Sequence, residues 1–430
     1  MATSRTAPAR PGRRRIGVGL ALALALAVAT AAGGLATARS RDRGRALASS
    51  RSARAALASR DLDAAADAAR RWAEASPGSA EAHLLRARVA FARERPAEVA
   101  DELALAERLG HEPEAVDRLK AAILAQAGRF AEAEPVLRRA LPETSEPEVA
   151  EGLAKILLAT YRLGAARGVL ARWRALAPGD PRPDLWLADL DLRTQAEPAV
   201  LLGHYERALR VDPGCVEARL GRAGQLLRLH RNAEAAEEFD RYLAARPDDP
   251  AARVAAARNA AEMGDDRAAA EHLRRALAAA PDDPAALVEQ AAGEARRGDL
   301  DAALGHLRRA IEVDPFDLDA AQRLAPILAR LGRGEEAAAA SASARRIRAD
   351  RDRLDEIQAA LARSPDDPAL RLEATRWLFD HGRPREALAW AEQTLRLRPR
   401  DRSTLGLLVA YYEKVNNPGL RNYYRQQMPD

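Results

Sequence analysis

The sequence predicts an all-α chain: a solenoid of antiparallel helix pairs that follows one N-terminal hydrophobic helix. Three observations predict it. Pro213, Pro247, Pro281 and Pro315 stand 34 residues apart, and Pro365 and Pro399 repeat that interval. Small residues recur in step with them, as Ala223, Ala257, Ala291 and Ala325, and again as Ala235, Ala269, Ala303 and Ala337. The composition agrees. Hydrophobic residues make up 47% of the chain but aromatics only 4%, which suits close-packed helices, whereas strands draw on β-branched and aromatic residues. A period of this length marks stacked supersecondary units.

In chain order, residues 1–15 form a basic flank with Arg5, Arg10, Arg13, Arg14 and Arg15 and no acid. Residues 16–38 are uncharged and apolar, and at the rise of an α-helix the run is long enough to cross a bilayer. It reads as a transmembrane signal-anchor or, given Ala36-Thr37-Ala38, as a signal peptide cleaved near Ala38. Arg39, Arg41, Arg43 and Arg45 follow and nearly balance the flank. The reading favoured is a single-pass anchor with the repeats extracytoplasmic, in the periplasm; the alternative is export as a soluble chain after cleavage. Residues 39–45 are a linker, 46–334 the repeat array, 335–366 an extended or broken helix that joins the arrays, and 367–430 the C-terminal repeats and cap.

Charge excludes one class of partner. The formal net charge is +5, and the five arginines of the basic flank account for all of it. The rest of the chain is neutral and offers no long-range attraction to phosphate, so no nucleic-acid partner is expected. The richness in Arg and Ala reads as the composition of a bacterial genome. The single cysteine, Cys215, rules out an intramolecular disulfide and a Cys-based zinc site. No GxxxxGK[ST], HExxH or CxxC motif occurs, so no catalytic residue, metal or cofactor is assigned.

The unit 284–317 shows the design. Asp283 can cap a helix that Pro284 opens, because proline fits the first helical position. Gly298 can end that helix in a left-handed turn. Asp299 can cap the second helix, and Pro315 prevents its continuation. Asp249-Pro250 and Asp367-Pro368 repeat the start; Gly264, Gly332 and Gly382 repeat the stop. Counting from Pro284, alanines fall at places eight, 20 and 27, and Phe239, Leu273 and Leu307 fill place 24 of their units. Such spacing gives each helix pair an apolar face that only a neighbouring pair can bury. The interval from Pro315 to Pro365 breaks the period, and no Pro or Gly interrupts Glu335 to Ser364. A long or twice-broken helix is expected there.

The 34-residue spacing, the small residues at places eight, 20 and 27, and the proline at place 32 resemble the tetratricopeptide-repeat family over roughly 46–430, about ten units. The aromatic that the family carries at place four is mostly missing, with Arg219, Arg253 and Leu287 in its stead. The resemblance implies a right-handed superhelix whose first helices line a concave groove. It also implies a non-enzymatic scaffold or assembly factor that binds a protein or peptide there. Carried to this sequence, the groove residues are Arg54, Arg88, Phe91, Lys155, Trp186, Arg228, Val254, Arg258, Arg296, Arg330, Arg376 and Phe379. They predict a mixed, net-basic trough for an acidic segment, with Arg forks for carboxylates and apolar anchors between. The near absence of Asn, Asn259 excepted, argues against the subclass that grips a terminal carboxylate with paired Lys and Asn.

Three further features stand out. His204, His272 and His306 share place 23, with Glu238 between the first two; a solvated stripe on the second helices is expected rather than a metal site. Tyr411, Tyr412, Tyr423 and Tyr424 cluster at the end of the chain, either closing the array or contacting a partner. Self-association is left open. RNA binding of the helical-repeat kind is the alternative function, together with an enzyme whose site the sequence does not reveal. The RNA mode needs polar code residues at fixed places, whereas here the matching places vary among Ala, Arg, Glu and Gly.

Overall fold

The computed structural model describes residues 43–365 and 367–429. The apolar run 16–38 lies outside them. None of the described helices is long and apolar enough to cross a membrane.

The described residues are all α-helix and connecting turn. They divide into two compact units, one ending at Val116 and one beginning at Asp117. The division falls inside the stretch 46–334 that the sequence reads as one array. The first unit holds α1 over 43–58, α2 (Leu62–Ala75), α3 (Ala80–Ala92) and α4 (Pro96–Arg108). Its core sets Trp72 among Ala53, Ala65, Ala69, Leu85 and Val89. Asp61 and Ser79 accept backbone N–H bonds from Ala64 and Ala82 and so cap α2 and α3.

Helix α5 (Pro113–Gln126) spans the boundary. The second unit continues through α6 (Phe130–Ala140), α7 (Pro147–Ala159), α8 (Leu163–Leu176), α9 (Arg182–Arg193) and α10 (Pro198–Val211). Then come α11 (Val216–Arg228), α12 (Asn232–Ala245), α13 (Pro250–Glu262), α14 (Asp266–Ala279), α15 (Pro284–Arg297) and α16 (Leu300–Val313). It ends with α17 (Leu318–Arg330), α18 (Gly334–Arg363), α19 (Pro368–Asp380), α20 (Pro384–Leu397), α21 (Arg402–Lys414) and α22 (Pro418–Gln427). The expected all-α solenoid is present. The expected caps form too, since Asp249, Asp283, Asp299 and Asp367 each accept a backbone N–H two or three residues on. The recurring alanines are the close-approach points: Ala235, Ala303 and Ala310 have relative exposures of 0%.

Place 15 of most units, the turn between the paired helices, is left-handed. Gly128, Gly264, Gly298, Gly332 and Gly382 have positive φ there, and so do Arg60, Glu94, Tyr161, His230 and Asn416. The glycines meet this geometry without strain; the side-chain-bearing residues are held in it by the packed helices on either side.

The segment 335–366, expected as an extended or a broken helix, takes the extended form: Gly334–Arg363 make one helix of 30 residues, α18. Ala340, Ile347, Leu354 and Leu361 are buried on it at intervals of seven, with Ala344 and Ile357 between. A spacing of seven keeps one face of the helix apolar. The first half of that face meets Ala321 and Leu318 of α17. The second half meets Leu378 and Ala387 of α19 and α20, flanked by Trp377, Phe379 and Trp390. One helix thus serves two successive repeats.

Candidate partner-binding face

The predicted groove residues fall into three groups. Phe91 and Val254 are buried, with exposures of 8% and 5%. Val254 packs on Ala276 and Ala286, so it joins the interior between repeats and offers no anchor to a partner. Trp186 is half-buried, edge-on to Trp173 with ring centroids 5.0 Å apart. Phe379 stacks on Tyr411 at 4.4 Å.

Most of the basic candidates are engaged by the chain itself. Arg54 pairs with Glu81 and lies 5.7 Å over the Trp72 ring. Arg88 is half-buried. Lys155 Nζ donates to the Gln126 carbonyl at 3.2 Å, and Arg330 to the Ala295 carbonyl at 3.4 Å. Arg296 pairs with Asp266 at 3.3 Å, and Arg228 donates to Gln225 at 3.1 Å. Arg258 donates through Nε and Nη2 to one oxygen of Glu289, at 2.9 and 2.7 Å. Arg376 is exposed and makes no hydrogen bond or ion pair among the described residues. The trough is therefore closer to neutral than its arginine count suggests, because a helix end or an acid of a neighbouring repeat already holds most of these cations.

Of the predicted groove residues, Arg258 lines a cleft where α13, α15 and α17 run side by side. The cleft, of 350 Å³, is lined by Arg258, Val288, Leu318, Asp319, Gln322 and Arg351. Asp319 lies 3.9 Å from Arg258, and Arg323 lies 3.7 Å from Glu289. Arg351 reaches in from α18 and donates to the Phe316 carbonyl at 3.4 Å. Of these, Asp319 occupies place two, one of the places the family exposes, and was within reach of sequence reasoning. Arg351 was not, because its position follows from the unbroken course of α18.

The histidines at place 23 do not form a solvated stripe. Each meets the first helix of its own repeat: His204 Nε2 is 2.8 Å from Asp191, His306 Nδ1 2.8 Å from Glu294, and His272 Nδ1 3.3 Å from Arg253. Glu238, buried at the same place, accepts from Arg219 at 3.1 Å and Arg222 at 2.8 Å. The residue at place four completes the pattern by gripping the proline turn before it. Arg219, Arg253 and Arg371 donate to the carbonyls of Pro213, Pro247 and Pro365 at 2.6, 2.8 and 2.8 Å. A basic residue there thus does the work of the missing aromatic: its stem packs and its head ties turn to helix. These contacts shift the acids. Burial alone would raise the Asp184 and Asp191 carboxyls, but hydrogen bonds from His204 with Arg207 and Arg167 hold both below the usual aspartate range. Burial, helped by Arg253, lowers His272. No group of three His, Cys, Asp or Glu side chains suited to a metal occurs among the described residues. Cys215 is buried, and burial pushes its thiol up.

The model of the family described as tetratricopeptide repeat matches residues 118–181 and 202–250. These two stretches are tetratricopeptide repeats. No curated relative matches the chain's sequence. Among solved structures, the chain is similar to MamA 41-end from Desulfovibrio magneticus RS-1, at 19% identity over 40% of this chain and 97% of that one, TM-score 0.34. It is similar to TTC0263, a thermophilic TPR protein in Thermus thermophilus, at 20% identity over 46% and 99%, TM-score 0.34. It is also similar to the human IFIT1 dimer with PPP-AAAA, at 17% identity over 81% and 90%, TM-score 0.37. At these identities the likeness is one of fold alone. A tetratricopeptide-repeat solenoid is a protein-interaction scaffold, presenting a row of parallel first helices rather than an enclosed pocket.

Proposed function

We propose that this protein is a membrane-associated scaffold that holds a segment of a partner protein against its first helices and carries out no chemistry of its own. The observation that carries the reading is the 350 Å³ cleft across α13, α15 and α17, where cationic Arg258 and Arg351, anionic Asp319 and apolar Val288 and Leu318 alternate. The occupant it fits is an extended or helical segment of mixed charge. Glu289 already neutralises much of Arg258, so a purely acidic segment would gain less than the arginine count suggests. Residues 16–38 serve as the anchor, with the repeats on the extracytoplasmic side; cleavage near Ala38 would release the same scaffold as a soluble exported chain.

The test places a photocrosslinking residue at Gln322 in the cleft and, separately, at Arg274, exposed on second helix α14. Native membranes are irradiated and the crosslinked peptides sequenced. The reading expects one partner segment joined at position 322 and not at 274. The same peptides at both positions, or at 274 alone, would remove the groove from the account. Alkaline extraction and protease protection of the full chain decide anchor against cleaved export.

A further inference from the structure

In the second unit, chain segments about one array apart come into contact. The Arg371 guanidinium, 3% exposed, donates to the Thr160 carbonyl, 211 residues away in sequence. Thr160, at the end of α7, is itself fully buried. Beside it the Tyr161 ring packs on Trp390 of α20, centroids 5.5 Å apart and tilted by 42°. One repeat earlier, the Arg396 guanidinium lies 5.5 Å over Phe130, whose ring is 1% exposed. Arg396 crosses directly above Gly128, where a Cβ would stand 2.7 Å from its Cζ. So the repeat made by α19 and α20 seats on two successive turns, α5–α6 and α7–α8.

The residues that make this seam are the interior lock of other repeats, redeployed. Place four and place 23 of this repeat are Arg371 and Trp390. In the four repeats over 182–317 place 23 is a histidine or glutamate that meets the first helix of its own repeat. Here it is an aromatic, and the pair is turned to Thr160 and Tyr161. The seam is also small. It includes a hydrogen bond, a ring pair and a cation over a ring, beside the continuous apolar contacts between neighbouring helices.

We propose that residues 117–430 carry a latch: the α19–α20 repeat closes on the α5–α6 and α7–α8 turns, and it parts by flexure of the repeats between, α18 included, to widen access to the first-helix row. The latch is independent of the groove reading; only its effect on access rests on that reading. The test uses the full chain with Cys215→Ser. Spin labels at Ala131→Cys and Ala389→Cys, exposed positions on either side of the seam, report its state by pulsed electron resonance. The parent should give one short distance. Arg371→Gln with Trp390→Ala should move the population to longer distances at unchanged helical circular dichroism. Arg396→Ala, which removes only a half-exposed side chain, should do so partially and guards against misfolding. A long or broad distance in the parent, or no change in folded variants, overturns the latch. Separately, Gln322→Cys is labelled with a polyethylene-glycol maleimide. Parting the latch should speed labelling about threefold or more relative to a cysteine at Arg274, as an open state gains population. Distances that lengthen while labelling stays level keep the latch and overturn its control of access.

Discussion

The repeats over α11–α14 and the repeat of α19 and α20 carry the same arginine at place four and use it differently. Arg219 and Arg253 hold their own proline turn and meet Glu238 and His272 on their own second helix. Arg371 holds its proline turn with Nε and gives Nη2 to a carbonyl in a distant repeat. The difference lies at place 23, where a polar side chain keeps the arginine at home and Trp390 does not. A single repeat position can thus serve either the stability of its own unit or a contact across the array. Measurements that weaken one use without the other separate the two.

The largest effect is expected inside the regular repeats. Glu238 is buried against three guanidiniums, and Glu238→Ala leaves two of them half-buried without it. Loss of about 3 kcal/mol is expected in urea unfolding, whereas Arg371→Gln at the seam should lower stability far less. Next comes Asp184→Asn, which weakens the Asp184–His204–Arg207 cluster by about 2 kcal/mol at neutral pH. The carboxyl is held below its ordinary value in the fold. Its contribution is therefore full above the unfolded aspartate pKa of about 4 and is lost as pH falls through the folded value. Parent and variant should converge in acid; a constant gap would show that the charge is not what stabilises.

Gly128 and Gly298 sharpen the comparison, because both have left-handed backbone and only one faces the seam. Gly298 has open space around it, while Gly128 sits under Arg396. Alanine at either should cost about 1 kcal/mol for the backbone. Gly128→Ala should cost more, and the excess should vanish in an Arg396→Ala background, as a double-mutant cycle would show. The smallest effect is a gain. His230 is held left-handed without glycine, so His230→Gly should add about 0.5 kcal/mol, the relief of strain less the extra chain entropy of glycine.

Much of this architecture was legible in the residues. The proline interval, the Asp caps before Pro250, Pro284 and Pro368, and the stops at Gly264, Gly298 and Gly332 announce helix pairs, and each signal acts within a few residues of itself. The candidate face was less legible. A place number says which side of a helix a residue is on, but not whether an acid from the next repeat has reached it. That is why Arg258 and Arg296 read as free cations and prove to be paired. Val254 read as an anchor and proves to be interior, because alanine-rich neighbours let the helices close over it.

The sequence by itself determined the helices, their pairing and the order of the stack, since these depend on contacts within one period of 34 residues. Only the tertiary structure decided three things: that α18 runs unbroken beneath two repeats, that arginines of the face are shared between repeats, and that Arg371 and Trp390 meet Thr160 and Tyr161. The physical reason is distance along the chain. Small deviations in stacking angle add up over many repeats, and no local pattern records where their sum brings two ends of an array together.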